Sequence, residues 1–491
     1  MAQRTRSKRA TIPSSSQDSV EPSTKFDPLK PLDNKATVRE IINSALAVRD
    51  DWTVLDISNV QDRPTRANTF NHPAQQELLQ IWEDEGLGNF VEKFKQLETN
   101  YSPQVKRTRL HDEDWRPYAY QLCSGVEDAR MRAMLANTYL FESVYECSWT
   151  PTHHQLCDTP EVELDDSEDE AEAAHQGKRA VRNFGLYKLQ LAPRNCIPLT
   201  KAEFDLLIEA MIHALKLNDR NDRAAARLKF ELHGLSLVQR IRMFWNVFFD
   251  QDALADDDKE YEFPGSDATK ENLRKAGQSL IKVYTEFLKD LPDGVKYIPI
   301  PAEVGYSINM LRRMRAHRKL VPKTSPPLFQ FMFSLLNVLF PEKQFKIFPQ
   351  VVFRATTPQQ VPTGESIASH LCASYEAYGG FNSTQAGLSV TSSERMSPAA
   401  QDNAAMYAIS IGIVDLQVKA VAAEDKAKSA RGKELEDILS GTGVETANKL
   451  VKQVEADVEV EEMVLTTTLV CAGVKCLVKD AVDELGLDLD V

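Results

Sequence analysis

Apolar side chains recur every three or four residues through much of the chain, which is the period of an α-helix with one buried face. Thr37 and Glu40 form a capping-box pair before the first such pattern, and Thr200 and Glu203 form another. This period, or a continuous apolar run in the last case, predicts helices over residues 38–46, 73–82, 89–97, 126–145, 200–215, 235–249, 266–288 and 328–340. We therefore expect a mainly α-helical protein.

The segments without this period divide the chain. Residues 1–35 are rich in Ser, Pro and basic residues, whereas residues 161–183 and 455–491 are acidic. The predicted organisation is a flexible basic arm (1–35), an N-terminal helical lobe (36–160), an acidic linker (161–183), a C-terminal helical lobe with a basic helix (184–454) and an acidic tail or arm (455–491). The alternating Val and Glu residues leave open whether the tail is helix or strand.

Composition favours an ordinary globular protein that stays inside the cell that makes it. Hydrophobic residues make up 42% and charged residues 26% of the 491 residues. The seven cysteines are odd in number and scattered, which indicates reduced thiols rather than a disulfide framework. No apolar stretch follows the basic N-terminus, and the longest apolar run, 463–477, is interrupted by Lys475. We expect neither a secretory signal nor a membrane span.

Motifs for catalysis or metal binding are incomplete. The sequence has neither a phosphate-binding loop of the Walker type nor a zinc helix with paired histidines. Ser366 lies in only half of a nucleophile-elbow motif, so we expect a capping or loop serine there. Cys147, His153, His154 and Cys157 offer zinc-binding atoms but lack the paired short spacings of a tetrahedral site. We therefore expect no enzymatic activity, no cofactor and no bound metal.

One basic cluster changes the interpretation of the net charge of −14, which would by itself repel nucleic acid. The sequence between Glu303 and Glu342 contains no acidic residue. In a helix, residues at i, i+3 and i+7 share one face and can neutralise successive phosphates. The cluster consists of Arg312, Arg313, Arg315, Arg318, Lys319 and Lys323. Among these, Arg312, Arg315 and Lys319 have the i, i+3 and i+7 spacing. We predict binding to RNA phosphates here, with pairing to an acidic loop or another subunit as the alternative.

Two smaller basic clusters precede and enter the aromatic helix around Trp245. The candidate RNA-binding residues in them are Arg223, Arg227, Lys229, Arg240 and Arg242. Arginine offers planar, forked donors that suit phosphate, but structural ion pairs are an equally good interpretation for these clusters. The neighbouring aromatic residues are expected to pack in the core or an interface rather than to stack on bases, as in the run from Phe329 to Phe340 and the group Tyr375, Tyr378 and Phe381.

This organisation resembles the nucleocapsid proteins of negative-strand RNA viruses, especially plant or fungal viruses. The resemblance rests on the basic arm from Arg4 to Arg9, the helix from Arg312 to Lys319, and the turn Gly379-Gly380-Phe381-Asn382-Ser383. It implies two helical lobes around a basic groove that holds single-stranded RNA, neighbours joined by terminal arms, a viral polymerase as a partner, and a location in the virion and host cytoplasm. The alternatives are a closed-shell coat protein of a double-stranded or positive-strand RNA virus and a cellular helical scaffold that binds other proteins.

Overall fold

The computed structural model describes residues 34–50, 62–101, 115–145, 185–217, 227, 229–232, 235–249, 267–307, 313, 317, 326–383, 413, 415–423, 426, 429 and 430. The predicted linker and tail lie outside these ranges, as does the predicted arm up to residue 33, whereas residues 34 and 35 at the end of that arm belong to the first helix. The described part is mainly α-helical, as the sequence predicts, with a small antiparallel sheet that it does not predict.

The helices and strands follow one another along the chain with long connections in places. The α-helices are α1 (Asn34–Asp50), α2 (Pro73–Asp84), α3 (Leu87–Tyr101), α4 (Trp115–Ser124), α5 (Asp128–Leu135), α6 (Tyr139–Tyr145), α7 (Lys201–Ala214), α8 (Leu237–Phe249), α9 (Asp267–Lys289), α10 (Pro327–Leu339) and α11 (Gln360–Leu371). The strands are β1 (Gly185–Ala192), β2 (Leu199–Thr200), β3 (Tyr297–Ile298), β4 (Ala302–Ser307) and β5 (Lys346–Arg354), and two short 3-10 helices are η1 (Pro341–Lys343) and η2 (Glu376–Tyr378).

Three of the strands form an antiparallel sheet in the order β4-β1-β5. In the central strand, Leu189 lies opposite Glu303 of β4 and Pro349 of β5. All eight residues of β1 are buried, including Lys188 and Gln190, because helices cover both faces of the sheet. A strand that is buried on both faces loses the alternation of polar and apolar residues by which strands are recognised in a sequence.

Each face of the sheet supports its own hydrophobic core. Helices α1, α7, α8, α9 and α10 pack with Leu189 and Leu191 on one face, and α2 to α5 and α11 pack with Leu186 and Val352 on the other. Helix α1 lies in the first layer through Ile41, although it precedes all the helices of the second layer in the chain. Each layer therefore mixes helices from both predicted lobes.

Side chains and loops cover the outer strands of the sheet. The side chain of Asn382 bonds to both backbone polar groups of Val304 in β4, at 2.9 and 2.8 Å. On β5, the carbonyl oxygen of Val351 accepts hydrogen bonds from the Tyr139 hydroxyl, at 2.6 Å, and from the guanidinium of Arg130. These contacts satisfy backbone groups that an open sheet edge would present to another strand.

The helix ends predicted from the sequence are confirmed in part by the structure. Thr200 and Glu203 form the predicted capping box of α7, and Pro327 begins α10. Thr37 lies within α1, which begins three residues earlier at Asn34, so the predicted cap there is wrong. The helix predicted over 126–145 is two helices, α5 and α6, separated near Asn137, whose positive φ of 55° cannot continue an α-helix.

Candidate nucleic-acid interface

The basic cluster meets the sheet at the side chain of Tyr187 on β1. Arg313 and His317, both helical, are the described residues between Ser307 and Pro326. The Nε of Arg313 donates a 3.1 Å hydrogen bond to the hydroxyl oxygen of Tyr187, and Nε2 of His317 lies 2.8 Å from the same oxygen. Residues at i and i+4 share a helical face, so these two side chains contact the central strand from one side of their helix.

Burial determines how this cluster is protonated. Burial, with a smaller contribution from the charge of Arg313, lowers the pKa of His317 to about 3, so its ring is neutral at pH 7. A neutral ring nitrogen can accept the Tyr187 hydroxyl proton while Arg313 donates to the hydroxyl oxygen. Burial also raises the pKa of Tyr187, which keeps the phenol protonated.

A buried carboxyl group lies beside this cluster. Glu303 of β4 is 8% exposed, and burial raises its pKa to about 8 against the opposing effect of the nearby charge of Arg313. The carboxyl of Glu365 on α11 also acts to raise the pKa of Glu303. Arg313 and Glu365 therefore both act on the carboxyl group of Glu303, although Glu365 is distant from both in the sequence.

The remaining residues of the main basic cluster are not placed by the structure. These residues, and one from the second cluster, lie outside the described ranges: Arg312, Arg315, Arg318, Lys319, Lys323 and Arg223. Their assignment to RNA stays a prediction.

Four predicted residues in the smaller clusters have positions in the structure. Arg240 is 9% exposed and its Nη2 donates a 2.9 Å hydrogen bond to the carbonyl oxygen of Phe230, so its guanidinium is directed to the protein interior. Burial lowers the pKa of Arg240 to about 10. Arg242 is half-buried on the same helix. Both residues lie on α8.

Arg227 and Lys229 form surface ion pairs. Arg227 Nη2 lies 3.2 Å from a carboxylate oxygen of Glu231, and Lys229 pairs with Glu209. The Arg227 side chain remains 70% exposed. Exposed pairs of this kind contribute little to stability, so both cations remain able to exchange their carboxylate partners for phosphate.

Histidine, glutamate and tyrosine side chains, which are common in active sites, also meet in the second core, the one that α2 to α5 and α11 form on their face of the sheet. Nε2 of His370 lies 2.6 Å from an oxygen of Glu98, and Nδ1 lies 2.7 Å from the hydroxyl of Tyr378. Tyr375 donates a 3.3 Å hydrogen bond to the same Glu98 oxygen. The side chains of Glu98 and His370 are completely buried. Because no substrate atom can reach a sealed cluster, its hydrogen bonds serve to join α3, α11 and η2.

The buried thiols of the described ranges are poor nucleophiles. Burial raises the pKa of Cys196 to about 12, that of Cys372 to about 11, and that of Cys123 further.

The cavity lined by residues including Asn137, Gln190 and Cys196 measures about 10 Å³, which admits one water at most. Ser366 lies buried within α11, so the expectation of a cap or loop serine is wrong.

The described residues contain no group of three His, Cys, Asp or Glu side chains arranged to hold a metal ion, and the weighed zinc donors from Cys147 to Cys157 lie outside them. None of the helices within the described ranges is both long and apolar enough to cross a membrane.

The turn around Gly379 has a structural role. Gly379 has φ of 80°, and a side chain at Gly380 would lie 2.1 Å from the carbonyl oxygen of Ser374. The turn brings Phe381 N within 3.2 Å of the Ala302 carbonyl oxygen, next to the contact between Asn382 and β4. The neighbouring aromatic side chains Tyr375, Tyr378 and Phe381 are at most 2% exposed, which confirms the prediction that they pack in the core.

Sequence reasoning missed Tyr187, Glu303 and His317 as neighbours of the basic cluster. The i, i+4 spacing of Arg313 and His317 was the available signal, but Tyr187 is 126 residues from Arg313 and lies in an unrecognised strand.

Comparison with family models, curated proteins and solved structures finds no match for the chain.

Proposed function

We propose that this chain is a viral nucleocapsid or coat protein that binds single-stranded RNA through its phosphates and self-assembles. The supporting observation is the contact of Arg313 and His317 with Tyr187, because it orients these two residues of the basic segment relative to the sheet. The function proposed is binding and assembly, without a chemical step, in the virion and the host cytoplasm.

The fixed orientation favours phosphate binding by the stripe predicted from the sequence. Successive residues of an α-helix are rotated by about 100°. If the helix containing Arg313 and His317 includes their neighbours, then Arg312, Arg315 and Lys319 point roughly 150° away from the face that contacts Tyr187. Three cations would then face away from the sheet, where phosphates can reach them.

We propose that the RNA groove lies at the Ser307 end of β4, beyond the part of the strand edge that Asn382 covers, and between the two helical layers. The basic segment follows Ser307 at the end of β4 and precedes Pro327 at the start of α10. Both helical layers contact the sheet, so an RNA strand beside β4 would have a helical layer on either side. This groove, with the two helical layers as its walls and flexible arms at both termini, is the finer architecture that we propose.

Affinity in this proposal comes from counterion release. Each phosphate neutralised by Arg or Lys releases condensed cations, which makes the affinity depend steeply on salt and only weakly on base sequence. Contacts between neighbouring subunits, including the terminal arms, would add cooperativity along the strand. The acidic excess of the whole chain would keep free subunits apart.

The test replaces Arg312, Arg315 and Lys319 by glutamine and measures binding to single-stranded RNA over a range of salt concentrations. The slope of log affinity against log salt should flatten by about 2 units, since each lost phosphate contact removes about 0.7. The matched control replaces Lys275, Lys282 and Lys289, which are exposed on α9, by glutamine. The control removes the same charge and should change the slope much less.

Two results would contradict the proposal. Equal slopes for the two triple variants would show that net charge, rather than this helix, determines binding. An unchanged slope with a large fall in melting temperature would show that the three cations have structural partners instead. Electron microscopy of the expressed protein separates the alternatives: polymers or rings with nuclease-protected RNA support a nucleocapsid, closed shells a coat protein of another virus type, and monomers a cellular scaffold.

A further inference from the structure

The side chain of Phe230 is a meeting point of three helical elements. The ring of His213, in the last turn of α7, stacks on the Phe230 ring with the ring centroids 5.6 Å apart. The Nζ atom of Lys229 lies 5.7 Å from the centroid of the Phe230 ring. From α8, the Nη2 atom of Arg240 donates a 2.9 Å hydrogen bond to the Phe230 carbonyl oxygen. We call His213, Lys229, Phe230 and Arg240 the Phe230 surface.

Lys229 is the cation that this surface presents to solvent. Its side chain is 46% exposed, and its ammonium pairs with Glu209 of α7, which is 54% exposed. Glu209 and His213 have i, i+4 spacing in α7, so the ammonium lies on the same side of that helix as the His213 ring. An ion pair as exposed as this one contributes little to stability, so a phosphate can replace Glu209 as the partner of Lys229.

Arg240 adds a buried positive charge next to Phe230. Burial lowers its pKa to about 10, which leaves the guanidinium charged at pH 7. Its Nε atom is buried and has no hydrogen-bond partner within the part of the chain that the structure describes. A buried cation with incomplete hydrogen bonding costs free energy, and a nearby anion lowers that cost. Arg240 therefore favours an anion at the Phe230 surface without having to touch it.

His213 contributes an aromatic ring without a charge. The residue is half-buried, and burial lowers its pKa, so the ring is neutral at pH 7. Stacking on Phe230 holds the ring in place. Aromatic side chains that lie beside cations are the groups on which proteins stack the unpaired bases of single-stranded nucleic acids.

We propose that the Phe230 surface binds one nucleotide of single-stranded RNA, with the base stacked on His213 and the adjoining phosphate on Lys229. This inference rests on the proposed function and adds a base contact to the phosphate contacts of the basic segment. A base can stack on a side chain only when it is unpaired, so the surface distinguishes single-stranded from double-stranded RNA. Stacking tolerates every base, which agrees with binding that depends little on sequence.

The experiment measures the affinity for a fluorescent oligoadenylate and for an abasic oligomer of the same length, which has the sugars and phosphates without the bases. His213→Leu should weaken oligoadenylate binding about tenfold, as expected for the loss of one stacked base, and should leave abasic binding and the salt dependence unchanged. His213→Phe keeps an aromatic ring and should bind oligoadenylate as wild type does. This rescue separates stacking from a structural role of the side chain.

Two charge variants test the phosphate contact. Lys229→Gln should flatten the slope of log affinity against log salt by about 0.7 for both probes. Glu209→Gln removes the competing carboxylate and should raise both affinities about threefold at low salt, the effect of one charge roughly 6 Å away in water. Lys275→Gln is the matched control for Lys229→Gln, because Lys275 is also exposed beside a carboxylate, and it should leave the slope unchanged.

Several outcomes would overturn the Phe230 surface and leave the proposed function standing. Unchanged oligoadenylate affinity in His213→Leu, or equal losses for the two probes, excludes the stacked base. An unchanged slope in Lys229→Gln excludes the phosphate contact, and circular dichroism verifies that each variant is folded. If His213→Leu does not fold, Lys229→Gln and Glu209→Gln decide, since both change exposed side chains. Failure of the wild-type protein to bind either probe overturns the proposed function together with this inference.

Discussion

The side chain of Asn382 forms two hydrogen bonds with the backbone of Val304, 78 residues earlier, and so occupies the outer edge of β4. Its Oδ1 accepts from the Val304 N–H at 2.9 Å and its Nδ2 donates to the Val304 carbonyl at 2.8 Å. An amide side chain thereby supplies one donor and one acceptor, as the next strand of a sheet would.

Asn382→Ala should destabilise the protein by about 1 to 3 kcal/mol, because it leaves both backbone groups of Val304 without these partners. Hydrogen exchange of the Val304 amide should become faster. Ser383→Ala, at the exposed neighbouring position, is the control and should leave both measurements unchanged. Unchanged exchange at Val304 in Asn382→Ala would show that water replaces the side chain without loss.

Tyr187→Phe should lower the free energy of unfolding by about 1 to 3 kcal/mol, since Arg313 and His317 both lose their hydrogen bond to the phenol. Denaturant unfolding measures this loss. Tyr118→Phe, which removes a hydroxyl from a half-buried tyrosine of α4, should change stability much less. If the two variants are equally stable, the hydroxyl of Tyr187 does not hold the basic segment.

Glu303 should make the protein less stable as the pH rises. Its pKa is raised from 4.5 to about 8 on folding, so the folded state retains a proton that the unfolded state releases between these values. Stability from this group is fully present below pH 4.5 and is lost as the pH rises towards 8, on the order of 1.4 kcal/mol for each pKa unit. Melting temperatures of Glu303→Gln should therefore fall less than those of wild type between pH 5 and pH 8, whereas parallel curves would contradict the assignment.

His370→Ala should destabilise the second core by roughly 3 to 5 kcal/mol, because it creates a cavity and leaves the buried Glu98 carboxyl without its 2.6 Å partner. The double variant Glu98→Gln with His370→Ala should be less destabilised than the sum of the two single variants. Thermal unfolding of the four proteins gives the coupling energy. Additive effects would show that the two side chains are not energetically linked.

The sequence predicted helices well and strands poorly for a physical reason. Amphipathic helices such as α2, α3 and α9 have one exposed face, so their period is visible in the sequence. The central strand β1 has Lys188 and Gln190 buried among apolar residues, and a polar residue buried by tertiary packing is indistinguishable in the sequence from one in a loop. The break at Asn137 was missed because its left-handed backbone interrupts a continuous helical pattern.

The candidate interface was predicted only as far as local sequence determines it. The absence of acidic residues between Glu303 and Glu342 identified the basic segment. The interval itself offers Arg313 no acidic partner, yet Glu303 at its limit and Glu365 beyond it both act on the cluster around Tyr187. Distance along the chain is a poor guide to electrostatic distance once a sheet joins residues 185–192 to 302–307.

The covering of β4 also constrains the order of events during synthesis. Strand β1 is made more than a hundred residues before either of its partners, and β4 emerges from the ribosome well before the turn that contains Asn382. Until that turn is complete, a nascent chain has an unpaired strand edge that another strand can join. Such long-range pairing slows folding and exposes the chain to aggregation. Production of this protein should therefore benefit from slow translation and chaperones. In the folded protein, by contrast, the side chain of Asn382 pairs with both backbone polar groups of Val304 in β4.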